Sequence, residues 1–148
     1  MTSNPKWWDN TVTIYNKYSD PITNITRWYR TVLSNCFWKR TTEKISLNNA
    51  VLESDNVICR IPETESFRQK YEWLQIPNDQ MQNYFTLGIG DIIVNGEVTD
   101  EINEYTVGTR SNDVLKKYAD LGTMTIESVR INTKTGVLFN RHYLAKGV

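Results

Sequence analysis

The chain has 148 residues, 39% of them hydrophobic and 11% aromatic, with 17 basic side chains balanced by 17 acidic ones. That composition excludes disorder and is enough for one domain, residues 1–148, around a real core. No run approaches the ~18 apolar residues of a membrane helix, and the first residues lack an apolar signal segment, so the chain is expected to stay in a cytoplasm without a membrane partner.

Residues 1–9 read as an N-terminal arm, with Pro5 and small polar residues offering nothing to pack. Trp7 and Trp8 close that arm. Either one of them plugs the end of the fold, or they anchor a partner, since Trp is enriched where binding energy concentrates. A first strand is predicted at 11–18, where Val12 and Ile14 alternate with Thr11, Thr13 and Tyr15. Ser19, Asp20, Pro21 and Asn24 mark a loop. A long strand follows at 26–38, and the apolar phase shifts across Ser34-Asn35, which predicts a bend or bulge there.

Residues 43–52 alternate less cleanly, with Asn48-Asn49 a candidate turn. Val57–Ile61 reads as a short strand stopped by Pro62, which has no N–H to give a ladder. Residues 62–83 form a polar, acidic insert, long for a connection. Phe67, Tyr71, Trp73 and Leu74 give it apolar surface, and it is expected to project and order against a neighbouring subunit.

Two strand-like runs follow, 84–87 and 92–94. Gly88 and Gly90 lie between them, and Asn95-Gly96, a hairpin turn signal, comes after. A helix is predicted at 111–121, capped by Ser111, stopped by Gly122, with Val114, Leu115, Tyr118 and Leu121 on one face. Met124–Ile126 and Val129–Ile131 alternate in opposite phase, so a bulge is expected near Glu127-Ser128. A turn at 132–136 and a returning strand at 138–144 complete the chain. The fold class expected is mainly β: a small barrel of roughly six to eight antiparallel strands with one short helix and a long loop at 62–83.

Catalytic provision is poor. His142 is the single histidine, and its spacing pairs it with no serine or cysteine, so it reads as a strand residue with a local partner. Cys36 and Cys59 lack zinc-ligand spacing and read most simply as small buried hydrophobes, with a disulfide as the alternative. Glu97, Asp100, Glu101 and Glu104 are either a hard-cation site without EF-hand order or a solvated face. Gly88-Ile89-Gly90 lacks the third glycine and the Lys-Ser/Thr of a phosphate loop. Trp28, Tyr29, Arg30, Trp38, Lys39 and Arg40 suit either single-stranded nucleic acid or the core and rim of a barrel. No enzyme, metal or cofactor is expected.

Charge is spread unevenly. Residues 1–60 carry a net +3, residues 61–108 a net −7 and residues 109–148 a net +4. These charges either mix in three dimensions or meet a neighbour's opposite charge in a head-to-tail assembly.

The order Val12-Thr-Ile14-Tyr15, a loop with Asp20, Trp28-Tyr29, Phe37-Trp38 and later Gly90-Asp91-Ile92-Ile93-Val94-Asn95-Gly96 resembles a known family. The chain is similar to the head–tail joining (head-closure or stopper) proteins of long-tailed bacteriophages. It looks especially like small prophage-encoded proteins among head–tail module genes of Gram-positive hosts. The insert and the 111–121 helix are least typical of them.

The resemblance implies a homo-oligomeric ring at the virion neck, assembled in the bacterial host cytoplasm. A portal or adaptor ring would lie above it and a tail-completion or tail-tube protein below. Double-stranded DNA would pass through without sequence-specific contact, and no catalytic residue is carried over. The interface residues expected are Trp7, Trp8, Phe67, Tyr71, Trp73, Asp100, Glu101 and Glu104, with Gly88, Gly90, Asn95 and Gly96 shaping turns. A tail-completion or terminator ring subunit and a single-stranded nucleic-acid-binding barrel are the alternatives.

Overall fold

The computed structural model describes residues 7–133 and 141–148. Six strands close into an antiparallel barrel: β1 (Asn10–Ser19), β2 (Thr26–Leu47), β3 (Ala50–Pro62), β4 (Ile92–Val94), β5 (Thr123–Asn132) and β6 (His142–Gly147). Around the barrel they run β1-β2-β3-β6-β5-β4, and β4 pairs back onto β1. Two short helices accompany them, α1 (Lys70–Trp73) and α2 (Ser111–Lys117), with a 3₁₀ turn at Met81–Asn83. The mainly-β barrel read from the sequence is therefore the fold. The expected arm at 1–6 and most of the expected 132–136 turn and 138–140 strand start lie outside the described residues.

Alternation builds the core. Val12 and Ile14 of β1 face inward, beside Cys36, Cys59, Ile61, Ile93, Met124, Ile126 and Tyr143. The opposite face of β1 is also buried. Tyr15, with Trp28, Ile92 and Val94, is covered by Val98, Ile102 and Val114 from the segment leading into α2. A sheet covered on both faces explains why β1 reads as a nearly continuous apolar-and-threonine run.

Both phase shifts are bulges. On β2 the register steps from Asn10↔Cys36 to Val12↔Leu33, and Asn35 takes φ 60°. On β5 it steps from Ile126↔Gly147 to Ser128↔Lys146, leaving Glu127 as the extra residue. The backbones come closest there: a Cβ on Gly147 would collide with the Thr125 carbonyl oxygen, so only glycine fits.

Several expectations change. The strand at 57–61 is the end of a strand starting at Ala50, because Asn48 and Asn49 at φ 48° and 67° join β2 and β3 in a tight hairpin. Residues 84–87 form no ladder strand; only an isolated bridge, Phe67↔Phe85, ties them to the insert. Asn95-Gly96 is not a hairpin turn: β4 pairs with β5 across an intervening segment of 28 residues, 95–122. Gly96, at φ 149°, ends β4 and turns the chain outward over β1.

The helix ends at Lys117, and Ser111 is not its cap. Asp113 reaches back to the Arg110 N–H, while the Ser111 hydroxyl and N–H both bond Glu104. Val114 is buried, whereas Leu121 lies beyond the helix and is exposed.

The insert does not project. Trp73 and Met81 are fully buried, packed with Tyr18, Tyr29, Ile76 and Tyr84 in a satellite cluster under the loop. Its acidity misled because its aromatics, spaced among charged residues, turn inward together through α1.

Candidate functional site

The feature that leaves the barrel is the end of the β2–β3 hairpin. β3 pairs with β6 only over Val57–Pro62, and β1 pairs with β2 only as far as Cys36. From Thr41↔Asn56 to Leu47↔Ala50 the two strands have only each other among the described residues. These seven residue pairs form a free ribbon reaching roughly 23 Å beyond its last barrel neighbour, at about 3.3 Å per residue. Among the described residues neither outer edge has a backbone partner.

The two faces of this ribbon differ. One continues the barrel's inner face outward and carries opposite charges in register. Arg40 bonds Asp55 at 2.8 Å, Lys44 lies 3.7 Å from Glu53, and Thr42 also donates to Asp55. These donors, Arg40 first, hold the Asp55 carboxyl below its ordinary range. The other face carries Leu47, Ala50 and Leu52, with Leu47 55% and Leu52 53% exposed. Two-stranded ribbons are marginal alone in water and open edges invite pairing, which makes this ribbon the candidate site.

A complementary feature lies across the barrel. β4 covers β5 only over Thr123–Thr125, and the Gly90–Asp91 backbone covers Ile126. Beyond that, the outer edge of residues 127–132 has no backbone partner among the described residues. Next to this edge opens a groove of about 450 Å³ lined by Phe67, Tyr71, Leu74, Leu87, Val129 and Ile131. A larger hollow of about 630 Å³ lies at the ribbon's base, between its charged face and Leu115, Ala119 and Thr123.

The expected interface residues separate into exposed and enclosed groups. Trp7 is exposed and meets Phe37 edge-on, while Trp8 is buried, stacked on Phe37 and edge-on to His142. One tryptophan thus seals the barrel's outer wall and the other stays at the surface. Tyr71 is exposed at the groove. Phe67 is half-buried, stacked 3.9 Å from Tyr143, and lines the groove, whereas Trp73 is fully enclosed and offers no contact face.

The three acids are latches. Asp100 accepts from Lys117 and the Tyr118 hydroxyl, which keep its carboxyl below the ordinary range. Glu101 pairs with Arg30 at 3.0 Å, and Glu104 holds Ser111. The buried Tyr15 hydroxyl, its pKa raised by burial first, donates to the Asp100 carbonyl. Together they strap residues 97–118 onto the barrel. Among the described residues no group of three His, Cys, Asp or Glu side chains is placed to hold a metal ion.

The glycine-rich stretch carries a buried polar hub. Gly90, at φ 93°, turns the chain so that Asp91 points inward. Its carboxylate accepts from the Lys17 N–H, the Asn16 side chain and the Gly88 N–H, with Lys70 Nζ 3.7 Å away. Asn16 in turn bonds both backbone groups of Thr86. The hub stands in for the missing ladder beside the second half of β1. Asn95 performs a similar service at the other end, joining Asn10 and the Leu121 carbonyl.

Nucleophilic chemistry finds no seat among these groups. His142 Nε2 lies 2.9 Å from Arg60 and 3.1 Å from Asn132, under the Trp8 ring. Cys36 and Cys59 are free thiols, both buried; burial pushes Cys36 up to about 12 and Cys59 well above its ordinary value. Trp28 is buried and Trp38 packs against Gly122, so the aromatic and basic series of β2 does not present stacking faces. No helix of the described residues is long and apolar enough to cross a membrane.

Sequence reasoning missed the ribbon and the open edge. The signal for the first was Asn48-Asn49 between two polar alternating runs. The second arises from β4 being only three residues long, which no local pattern announces.

Residues 7–148 match the model of a family of unknown function, DUF6751, and the chain belongs to that family. No curated protein and no solved structure matches it.

Proposed function

We propose that this DUF6751 protein is a structural virion subunit of a tailed bacteriophage, a ring-forming head–tail connector that closes the DNA-filled head and docks the tail. The observation carrying this reading is the projecting ribbon. A closed barrel with one long, open-edged ribbon offers main-chain edges to other chains, and among the described residues no set of groups is placed to hold a metal ion.

Charge supports the same role. A balanced chain does not grip passing phosphates, as a channel for double-stranded DNA requires. Its acids at 100, 101 and 104 are spent on internal latches, which favours assembly by shape and apolar contact. Its partners are further copies of itself, a portal or adaptor ring above and a tail-completion or tail-tube protein below. Assembly takes place in the host cytoplasm, and the assembled chain resides in the neck.

A tail-completion or terminator ring is the second reading, since the same ribbon would serve a ring on the tail side. Immunogold labelling of particles from a lysogen that carries the gene separates these readings. The connector reading expects label at the neck of complete particles and on isolated filled heads. Label confined to free tails supports the second reading, and particles without label overturn both.

A further inference from the structure

We infer that the β2–β3 ribbon of one copy lies along the open edge of β5 on the next, with Leu47 and Leu52 entering the groove beside it. The argument is backbone accounting. Among the described residues, the outer edges of the ribbon along Thr41–Leu47 and Ala50–Asn56 have no backbone partner, nor does the outer edge of β5 along residues 127–132. Edges of this kind recruit a strand, with main-chain hydrogen bonds supplying affinity and alternate side chains filling pockets.

The side-chain chemistry agrees. The groove is apolar, lined by Tyr71, Leu74, Leu87, Val129 and Ile131, and the ribbon's outer face ends in Leu47, Ala50 and Leu52. Its only charged lining residue, Lys70, is already engaged by Asp91 and the Trp73 ring. The ribbon's salt-bridged face turns away, so Leu47 and Leu52 reach the apolar lining without bringing Arg40, Lys44, Glu53 or Asp55 into the groove.

Geometry selects a second copy as the occupant. Donor and acceptor lie on different elements of one chain, β2–β3 and β5, so the contact is heterologous and repeats from copy to copy. Closure of that repeat makes a ring. The inference rests on the connector reading for its biological setting, but its test does not.

The experiment uses the full chain. Wild type, the Leu47→Asp/Leu52→Asp double variant and a Tyr71→Asp variant are compared by light scattering and native mass spectrometry over a concentration series. Wild type is expected above its 17.3 kDa monomer mass. Each variant keeps the wild-type circular dichroism spectrum, and the double variant associates at least about 100-fold more weakly, the scale of two leucines left unburied.

A Leu52→Cys chain mixed with a Tyr71→Cys chain should form a mixed disulfide. Leu52→Cys mixed with Leu121→Cys, an exposed control position, should not. The native thiols are buried and do not compete. Unchanged assembly in the double variant, equal crosslinking to the control, or a wild type that stays monomeric throughout overturns the inference. None of these results decides the connector reading, which immunogold labelling tests. A chain that assembles through its ribbon yet is missing from particles overturns that reading alone.

Discussion

Asp91→Ala removes the acceptor at the centre of the hub. In the folded chain its carboxylate takes the Lys17 N–H at 3.0 Å, the Asn16 side-chain amide at 2.9 Å and the Gly88 N–H at 3.0 Å. All three donors lose their partner, in a site where Asn16 and Asp91 are fully buried. Each orphaned buried donor costs about 1–3 kcal/mol. Partial relaxation and entry of water reduce the sum, so the loss is about 3–5 kcal/mol, the range for breaking a buried ionic contact.

For a domain of this size that corresponds to a Tm lower by about 10–15 °C. Urea and thermal unfolding, followed by circular dichroism, read it directly. The partner change Asn16→Ala should be strongly non-additive with Asp91→Ala, because both break the same network. An Asp91→Ala chain within about 1 kcal/mol of wild type, or one additive with Asn16→Ala, would refute the claim that this hub substitutes for a ladder.

Three other outcomes follow from the same contacts. Asn49→Val places a β-branched residue at φ 67°, costing about 1–2 kcal/mol locally. Because the ribbon stands outside the barrel, hydrogen exchange should accelerate over residues 41–56 with little change in Tm. Asp100 is held below its unfolded-state pKa by Lys117 and Tyr118, so its contribution is present at neutral pH and is lost as pH falls through the folded value. The acid limb of a stability–pH curve should therefore flatten in Asp100→Asn, and an unchanged limb would count against the latch. Cys36 and Cys59 should resist a thiol reagent at pH 8 until denaturant is added, and rapid labelling of the native chain would contradict their burial.

The barrel was legible because burial imposes a period. Val12 and Ile14, and the phase slips at Ser34-Asn35 and Glu127-Ser128, mark the inner face and both bulges in the sequence itself. The ribbon was hidden for the opposite reason. With no core on either side, residues 41–47 and 50–56 carry their few apolar side chains only toward the tip, Leu47, Val51 and Leu52 among them, and polar residues elsewhere, which leaves no sustained alternation to read.

The acids at 100, 101 and 104 looked like an interface because their partners lie 7 to 71 residues away, at Ser111, Lys117, Tyr118 and Arg30, in no local pattern. Asn95-Gly96 carried a hairpin's spelling but not its neighbour. A local turn signal fixes where a chain bends and leaves open which strand it meets next. Trp73 joined a buried cluster through contacts to Tyr18 and Tyr29, more than forty residues away, which no local pattern conveys.

The connector reading meets its most direct test in one electron micrograph. Deleting the gene from a lysogen that carries it, then inducing, should yield heads that package DNA but lose it, beside separately assembled tails. Expression of the intact chain in trans should restore joined particles. Heads that stay filled beside defective tails would move the protein to the tail side, and a lysate of normal, joined particles would contradict the account.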